Sequence, residues 1–435
     1  MPHAVAGSCA ERLVRAILQQ TVRAGRDAPA RRREGFADRL RWTTQRPFTG
    51  PDLGWRHPMT DHPRSAAPGT DAAVLEHTPD ISPVRPDEAA AEAELIARAF
   101  GAGPYGHLAV SAERRAFERD TEGRAASGAV LVARVGRRIV GTASVLRAAT
   151  PYSRLALPGE AEVRLLAVDP GEQGTGLGEA LMRASLEVAL EWGAEALVLD
   201  TGSRNVRAQA LYERLGFERV PARDVTSAAS GVEALAHRLP LQQRDDVCVR
   251  LVRADEIDAV AQLTEAAYAV DFELSPGYRA DIVAVADRAR EHQVWVATDA
   301  ASGALLGTAS TPRAHRAISP LARAGELDFR FLGVAAEARR RGIGRLLVEH
   351  VLFLARLRGT GRVVLNTGPD MVAAQRLYEG LGFARLHERE FVFERPDGTS
   401  FLMLAYGRDA ASGTDAASGT DSASGTDSAS VSSAA

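Results

Sequence analysis

Two glycine-rich segments consist of residue types whose spacing suits phosphate binding. The first is Gln173-Gly174-Thr175-Gly176-Leu177-Gly178 and the second is Arg339-Arg340-Arg341-Gly342-Ile343-Gly344. Each follows an apolar run typical of a strand and precedes a pattern typical of a helix. A glycine-rich turn at the start of a helix presents free backbone N–H groups and the positive end of the helix dipole. Both segments are therefore predicted to bind an anion, and a pyrophosphate would suit them.

Two other interpretations of these segments are open. A dinucleotide-binding turn requires Gly-x-Gly-x-x-Gly. In the first segment, counted from Gly174, Glu179 stands where this pattern has its third glycine. In the second segment, Arg340 stands where the pattern has its first glycine. A tight strand-to-helix connection without a ligand is the other interpretation. Two copies in register, each followed by the same second motif, favour a ligand site.

The second motif lies about 30 residues after each glycine-rich segment. Its members in the first copy are Asn205, Ala208, Leu211, Tyr212, Gly216 and Phe217, and those in the second are Ala374, Leu377, Tyr378, Gly382 and Phe383. The apolar members recur at helical spacing, and the glycine is a natural helix end. An ordinary amphipathic helix with a core tyrosine would show the same pattern. Met371 stands in the second copy where the first has Asn205.

These motifs belong to a duplicated unit. Residues 160–220 and 326–386 align without gaps, and 24 of the 61 aligned positions are identical. The shift between the copies far exceeds a solenoid repeat of about 20–50 residues. Two tandem domains are therefore predicted, at 81–242 and 247–408. Each alternates helical and strand patterns, which predicts an α/β fold with a mixed central sheet flanked by helices.

Local patterns predict the elements of each copy. Helices are expected at 88–100, 179–192, 256–268 and 345–358, the first and third of them after an aspartate that could cap them. Hairpins are expected around Gly136 and Gly303. Central strands are expected at 165–168, 197–200, 331–334 and 363–366.

The paired motifs resemble those of the GNAT superfamily of acetyl-CoA-dependent N-acetyltransferases, over most of residues 81–408. The resemblance implies that the backbones of 173–178 and 339–344 hold the coenzyme A pyrophosphate. It implies that the pantetheine arm pairs with a strand segment in each copy, as an added strand would. Those segments are Leu166, Ala167 and Val168, and Leu332, Gly333 and Val334. It also implies that Asn205 contacts the pantetheine or a water, and that Tyr212 and Tyr378 protonate the departing thiolate.

A general base for the attacking amine is expected among four carboxylates. Members of the superfamily often place one four residues before the pantetheine-binding segment, which is Glu162 here and Asp328 in the second copy. Strand alternation puts Glu160 and Glu326 on the same faces. Ion pairs with arginines two residues after Glu162 and Asp328 are the structural alternative, and both interpretations stay open.

Composition excludes several classes of function. The 435 residues have a net charge of −3, which argues against a nucleic-acid binder. The sequence contains no lysine, so P-loop and pyridoxal-phosphate chemistry are excluded. Cys9 and Cys248 are the two cysteines, and no histidine pair has metal-ligand spacing, so neither a disulfide framework nor a metal is expected.

The two ends of the chain differ from the repeats. Residues 1–80 are rich in arginine with little periodic apolar pattern, which predicts a basic, disordered extension. Residues 409–435 repeat Ala-Ser-Gly-Thr-Asp, which predicts a disordered tail. No run approaches the roughly 20 apolar residues that cross a bilayer, so no membrane partner and a cytoplasmic location are expected.

The function predicted from the sequence is acetyl transfer from acetyl-CoA to a primary amine on a small molecule or peptide. Direct attack is expected because no cysteine lies near either motif to carry the acyl group. The tandem arrangement is similar to that of mycothiol synthase, which suggests the amine of a small thiol precursor as one alternative. A non-catalytic acyl-CoA-binding regulator is another. The retained Asn205 favours the first copy as the more active one, whereas the acceptor and the oligomeric state are left open.

Overall fold

The computed structural model describes residues 80–227, 230–269, 274–314, 316–394 and 398–410. The extension and the tail expected at the two ends lie outside these residues, apart from Asp80, Asp409 and Ala410. The helices are α1 (Ala89–Gly101), α2 (Ala112–Arg119), α3 (Thr121–Ala126), α4 (Leu177–Trp192), α5 (Val206–Arg214), α6 (Ile257–Ala269), α7 (Pro276–Val283), α8 (Val285–Glu291), α9 (Ile343–Leu357) and α10 (Val372–Gly380).

The strands follow the same order in both repeats. They are β1 (Asp80–Pro83), β2 (Gly128–Val135), β3 (Arg138–Arg147), β4 (Glu160–Val168), β5 (Ala196–Gly202), β6 (Glu218–Arg219), β7 (Val225–Thr226), β8 (Glu233–Pro240), β9 (Val247–Leu251), β10 (His292–Asp299), β11 (Leu305–Pro312), β12 (Glu326–Asp328), β13 (Arg330–Val334), β14 (Arg362–Thr367), β15 (Ala384–Arg385), β16 (Phe391–Glu394) and β17 (Ser400–Asp409).

The strands form mixed sheets, which confirms the predicted fold class. In the first repeat the order is β1-β2-β3-β4-β5-β8-β6, and β7 also pairs with β8. In the second repeat one sheet runs β13-β11-β10-β9 and another runs β12-β14-β17-β15, with β16 on β17. The pairs β4–β5 and β12–β14 are parallel, and the other pairs are antiparallel. The hairpins β2–β3 and β10–β11 turn through Gly136 and Gly303 as expected.

The predicted aspartate caps of α1 and α6 are wrong. Asp87 and Asp255 lie inside short 3-10 turns that precede these helices. Glu88 and Glu256 close the turns instead, because each carboxylate accepts a hydrogen bond from the N–H three residues earlier, at 2.7 and 2.9 Å. Each helix therefore begins one residue later than a cap at the aspartate would place it.

Four short helices were missed from the sequence. They are α2 and α3 between α1 and β2, and α7 and α8 between α6 and β10. Three of them begin at a side-chain cap, in which Ser111, Asp120 and Ser275 accept hydrogen bonds from N–H groups three residues later. These Ser and Asp residues were the available signal. At six to eight residues the helices are too short for an apolar period to identify them.

A break in the central strand opens each sheet. β4 pairs with β5 only over residues 160–163, and Leu165 has a φ of +55° just beyond that point. In the second repeat the corresponding strand is divided into β12 and β13, and Phe331 has a φ of +56°. A bulge of this kind bends the strand away from its neighbour. The last residues of β4 and β13 therefore pair on one side only, with β3 and β11.

The two repeats share one apolar core. A single cluster of buried side chains includes Leu181 and Leu197 of the first repeat together with Trp295 and Leu347 of the second. The connecting segment is held on both sides, since Gln242 hydrogen-bonds to Ala194 and to Val249. The repeats are therefore packed against each other and not merely linked in sequence.

Candidate functional site

The first glycine-rich loop forms an open backbone cradle at the start of α4. Gly174 and Gly176 have φ values of +86° and +88°, which side-chain-bearing residues rarely adopt. A Cβ atom added to either glycine would meet no atom within 4 Å. The Thr175 hydroxyl donates to the carbonyl of Glu172 at 2.8 Å and fixes the loop. The space beside these glycines is therefore available to a ligand.

Gly178 differs from the two preceding glycines because its backbone conformation is ordinary. A Cβ atom here would lie 3.7 Å from Val168 and 3.8 Å from Leu211, which are normal contact distances. Packing within the protein thus does not require glycine at this position. The first turn of α4 leaves its N–H groups without helical acceptors. This arrangement fits the close approach of a pyrophosphate to the backbone.

The second loop has the same shape with a different residue at its turn. Arg340 has a φ of +61° at the position that corresponds to Gly174, and Gly342 has a φ of +78°. Two of the three arginines contact the protein itself. Arg341 lies 3.6 Å from the Asp299 carboxylate, and Arg339 donates to the carbonyl of Ala267 at 3.4 Å. Among the residues described, Arg340 has no such partner, so it is the arginine best placed to meet a phosphate.

The strand segments expected to meet the pantetheine arm lie beside the openings in the sheets. Ala167 pairs with Thr142 of β3, and Gly333 pairs with Thr308 of β11. On the opposite side neither segment pairs with the neighbouring parallel strand. A Cβ atom at Gly333 would lie 3.3 Å from Ala267 of α6, so glycine allows the helix to pack closely there. Each segment thus keeps one edge of backbone groups for an extended ligand.

Tyr212 projects from α5 into the first repeat and is 5% exposed. Its ring packs against Phe217 and His237, with centroids 5.9 and 5.5 Å away. Burial raises the pKa of the Tyr212 hydroxyl, and the charge of Asp200 adds to the effect. Within the described residues the hydroxyl has no hydrogen-bond partner. The proton therefore stays on Tyr212 at neutral pH and is free for a ligand.

Tyr378 of α10 has the same burial in the second repeat. Phe329, Phe383 and Tyr406 surround its ring, with centroid distances of 5.9 to 6.2 Å. Burial raises the pKa of Tyr378 as well, with a smaller contribution from Tyr278. Both tyrosines singled out from the sequence are therefore protonated residues in equivalent environments.

Asn205 has a structural contact that its sequence motif did not reveal. It is the N-cap of α5, and its side chain accepts a hydrogen bond from the N–H of Ala208 at 3.4 Å. Met371 occupies the same position before α10 and provides no side-chain cap. The difference between the copies thus lies in helix capping, and it does not by itself make the first repeat the better catalyst.

One oxygen of the Glu162 carboxylate is held by the loop that precedes β4. Its Oε2 atom accepts from the Ser153 hydroxyl at 3.0 Å and from three successive backbone N–H groups at 2.6, 2.7 and 3.2 Å. Its other oxygen lies 3.6 Å from Arg164, as the structural alternative expected. Glu162 is 1% exposed, as is Asp328 in the second repeat, so burial does not distinguish the two residues. The geometry therefore supports an anchor for the loop more than a proton acceptor.

Asp328 occupies the same position in the second repeat with fewer partners. One oxygen accepts from the N–H of Ile318 at 3.2 Å, and the other accepts from the Ser319 hydroxyl at 2.6 Å. Burial raises the pKa of Asp328, and these hydrogen bonds only partly oppose it. The shorter side chain makes no ion pair with Arg330. Each oxygen thus keeps a lone pair.

Glu160 and Glu326 are bound in ion pairs across the sheet. Arg223 and Arg238 approach Glu160 at 2.7 and 2.9 Å, and Arg389 contacts Glu326 at 2.6 and 2.8 Å. The pKa of Glu160 is below its ordinary value although burial acts to raise it, because both arginines favour the ionised form. Arg389 likewise lowers the pKa of Glu326. These contacts tie the central strands to the segments after α5 and α10.

Several charged and aromatic side chains around the sites were missed from the sequence. Asp200 of β5 lies near Tyr212 and forms an ion pair with Arg154. In the second repeat, Tyr268 and Tyr278 pack edge to face with centroids 6.0 Å apart. No motif marks these residues, because each contact joins side chains of two different elements.

The described residues contain neither a membrane-spanning helix nor a metal-binding cluster of side chains. None of their helices has the length and apolar character that crossing a membrane requires. They also contain no group of three or more His, Cys, Asp and Glu side chains arranged to hold a metal ion.

Comparison with known sequences gives two matches within this chain. The profile of the acetyltransferase (GNAT) family matches residues 94–217 and again residues 257–383. A mycothiol acetyltransferase from Salinispora tropica is 34% identical over 211 residues, which cover 44% of this chain and 67% of that protein. A mycothiol acetyltransferase from Rhodococcus jostii is 31% identical over 228 residues, which cover 51% of this chain and 71% of that protein.

Solved structures resemble part of the chain. The ribosomal-protein-S18-alanine N-acetyltransferase from Escherichia coli is 20% identical with a TM-score of 0.30, and the match covers 38% of this chain and 96% of that protein. An acetyltransferase from Salmonella typhimurium, solved with its cofactor acetyl-CoA, is 22% identical with a TM-score of 0.30. That match covers 39% of this chain and 96% of that protein.

Proposed function

Because this chain belongs to the acetyltransferase (GNAT) family, we propose that it moves an acetyl group from acetyl-CoA to a primary amine by direct attack. The observation that carries the proposal is the recurrence in both repeats of an open glycine loop, a one-sided strand and a protonated tyrosine. We assign one domain to residues 81–242 and the other to residues 247–408. The acceptor is an amine on a small molecule or peptide.

The loops and strands would bind and orient acetyl-CoA in each domain. The backbones of 173–178 and 339–344 would hold the pyrophosphate, because their N–H groups converge at a helix start. The open edges of 166–168 and 332–334 would pair with the pantetheine amides. An N–H group at this edge would also polarise the thioester carbonyl as negative charge develops on its oxygen.

The tyrosines would supply the proton that the leaving group needs. As the amine nitrogen bonds to the carbonyl carbon and the carbon–sulfur bond breaks, Tyr212 or Tyr378 would donate to the departing sulfur. The raised pKa of each tyrosine keeps that proton in place beforehand. The attacking amine must in turn lose a proton.

Asp328 is the best of the four candidate carboxylates for that role. It keeps unoccupied lone pairs, and its raised pKa makes it a stronger base than an exposed aspartate. In the first domain four donors hold one oxygen of Glu162 in the loop, so the amine there would lose its proton through water. Glu160 and Glu326 are proposed to stabilise the fold and not to act on the amine.

Release of free coenzyme A by the purified full chain tests this function. The chain is mixed with acetyl-CoA and a panel of amines that includes amino sugars, amino acids and peptides with free N-termini. We expect release with at least one amine, and a loss of at least tenfold in kcat when the responsible tyrosine is changed to phenylalanine. Tyr212→Phe and Tyr378→Phe are matched to each other, so they also identify the active domain.

Two results would overturn parts of the proposal. Tight acetyl-CoA binding without release for any amine would favour a non-catalytic acyl-CoA-binding regulator. An acetylated protein trapped before the amine is added would contradict direct attack.

A second candidate acceptor is suggested by the relatives. The two mycothiol acetyltransferases match this chain over about two thirds of their own lengths. The same amine panel should therefore include the cysteinyl amine of the mycothiol precursor. Acetylation of this amine in clear preference to amino sugars and peptides would select that candidate.

A further inference from the structure

Arg330 stands at the point where the second sheet opens. It is the first residue of β13 and lies two residues before Leu332, or about 7 Å along an extended strand. Its guanidinium lies 4.9 Å from the ring centroid of Phe331. The left-handed φ of Phe331 breaks strand alternation, so these two consecutive side chains lie together.

The guanidinium of Arg330 has no counterion in the described residues. It makes neither a hydrogen bond nor an ion pair there, although it is half buried. Asp328, two residues earlier, turns its carboxylate to Ile318 and Ser319 instead. A half-buried arginine without an acceptor leaves five N–H donors for a ligand.

The first repeat provides an internal comparison. Arg164 occupies the corresponding position, but it donates to the carbonyl of Tyr152 at 2.8 Å and lies 3.6 Å from Glu162. Its Cζ atom also lies 4.0 Å from the ring centroid of Phe117. The two repeats differ here by one methylene group, because the longer side chain of Glu162 reaches Arg164 whereas that of Asp328 does not reach Arg330.

The surroundings of Arg330 add positive charge and hydroxyl groups. Arg288 lies on the same Phe331 ring, at 4.0 Å, and its terminal nitrogens donate to the carbonyls of Asp281 and Ile282. The hydroxyls of Tyr268 and Tyr278 are close enough to feel the charge of Arg330. The two guanidinium groups and the hydroxyls make this part of the domain suited to an anion.

We propose that the second domain takes an amine acceptor that carries a carboxylate or phosphate group, and that Arg330 binds this group. The inference rests on the proposed function, since it names the chemistry of the acceptor for that same site. Arg330 determines specificity and takes no part in bond making. A planar guanidinium matches either anion with two parallel hydrogen bonds.

Matched pairs of amines test this inference. Aspartate is compared with asparagine, and phosphoethanolamine with ethanolamine, in binding titrations of the coenzyme A-loaded full chain and in assays of coenzyme A release. We expect the acidic member of at least one pair to bind about 10- to 100-fold more tightly. The two pairs distinguish a carboxylate from a phosphate.

Arg330→Gln is expected to remove the preference for the acidic member and to leave the neutral member unchanged. Arg164→Gln is the matched control and should keep the preference, because that arginine is occupied within the protein. Unchanged affinity for coenzyme A would show that the second domain remains folded in either variant.

Three outcomes would overturn the inference. They are equal binding of the acidic and neutral amines, equal losses for both amines in Arg330→Gln, and a preference that follows Arg164 instead. Acidic amines that bind through Arg330 without any release of coenzyme A would overturn the proposed function alone, and the anion site would stand.

Discussion

Arg244, in the segment that joins the two repeats, donates a hydrogen bond of 2.7 Å to the carbonyl oxygen of Arg341 in the second glycine-rich loop. The same guanidinium is held by both oxygens of Asp246. The connection between the repeats therefore supports the loop proposed to bind acetyl-CoA in the second domain.

We expect Arg244→Ala to weaken acetyl-CoA binding at the second site alone. The loop would lose a hydrogen bond worth about 1–3 kcal/mol, so the dissociation constant should rise by roughly tenfold. Calorimetric titration of the full chain with acetyl-CoA measures the dissociation constants, since two sites are expected in the unmodified protein. Equal weakening at both sites would contradict a local role for Arg244.

Gly178→Asp should abolish acetyl-CoA binding at the first site without loss of stability. The backbone at this position accepts a side chain, and the nearest atoms to a Cβ are 3.7 Å away. The added carboxylate would repel the pyrophosphate. An unchanged melting temperature with one remaining site is the expected result, whereas two intact sites would show that the phosphates lie elsewhere.

Asp328→Asn should lower kcat by at least 100-fold for transfer in the second domain while leaving the protein as stable as before or more so. The folded state raises the pKa of Asp328, so its ionised form costs stability above that pKa, and asparagine removes the cost. In the unmodified protein kcat should rise with pH through this raised pKa.

Glu162→Gln is the matched change in the first domain. It should lower the stability of the protein and leave kcat largely unchanged. It weakens four hydrogen bonds to one carboxylate oxygen, so the melting temperature should fall. A catalytic loss confined to Glu162→Gln, with Asp328→Asn fully active, would reject Asp328 as the base.

Glu88→Gln should destabilise the protein in a pH-dependent way. Arg134 donates to this carboxylate at 2.6 and 2.8 Å and lowers the pKa of Glu88 to about 2. The ion pair therefore stabilises the folded protein fully above about pH 4.5, which is the pKa of Glu88 in the unfolded chain. This stabilisation is lost as the pH falls through about 2. The free energy of unfolding should drop by about 1–2 kcal/mol at pH 7, because solvent screens part of the interaction. A difference from the unmodified protein that stays constant down to pH 2 would contradict the assignment.

Arg358→Met should destabilise the contact between the repeats. The Nη2 atom of Arg358, in the second repeat, donates to Oε1 of Glu187 in the first repeat at 2.5 Å. It also donates to Oε1 of Gln293, in its own repeat, at 2.6 Å. Without it, Glu187 would lose its ion pair and would lie close to Glu191, whose pKa burial already raises although Arg313 acts to lower it. We expect a loss of about 3 kcal/mol at neutral pH that shrinks as acid protonates these carboxylates.

Differential scanning calorimetry measures this effect and the cooperativity of the repeats together. A single transition is expected, because one apolar cluster includes both repeats. Arg345→Met is the control, since Arg345 is 58% exposed and its one partner among the described residues is Glu349, one turn away on the same helix. It should change the free energy of unfolding by less than about 0.5 kcal/mol. Two separate transitions would contradict the shared core.

The duplication, the α/β class, both glycine loops and both tyrosines could be predicted from the sequence. The duplication follows from the ungapped match between the two copies, and the loops and tyrosines follow from local patterns, such as the glycines around Gly176 and the helical spacing that leads to Tyr212. A left-handed turn before a helix favours glycine at defined positions, although Arg340 adopts this conformation in the second loop, so the spacing of the glycines could identify the turn.

The roles of the carboxylates and arginines depend on contacts that form only in the folded protein. Glu162 and Asp328 look equivalent in the sequence, yet a loop places four donors on one oxygen of Glu162, whereas each oxygen of Asp328 accepts one hydrogen bond. Arg164 and Arg330 differ for the same reason, because one methylene group decides whether the carboxylate reaches the arginine. Such differences depend on donors that folding brings from distant segments, and no local pattern contains that information.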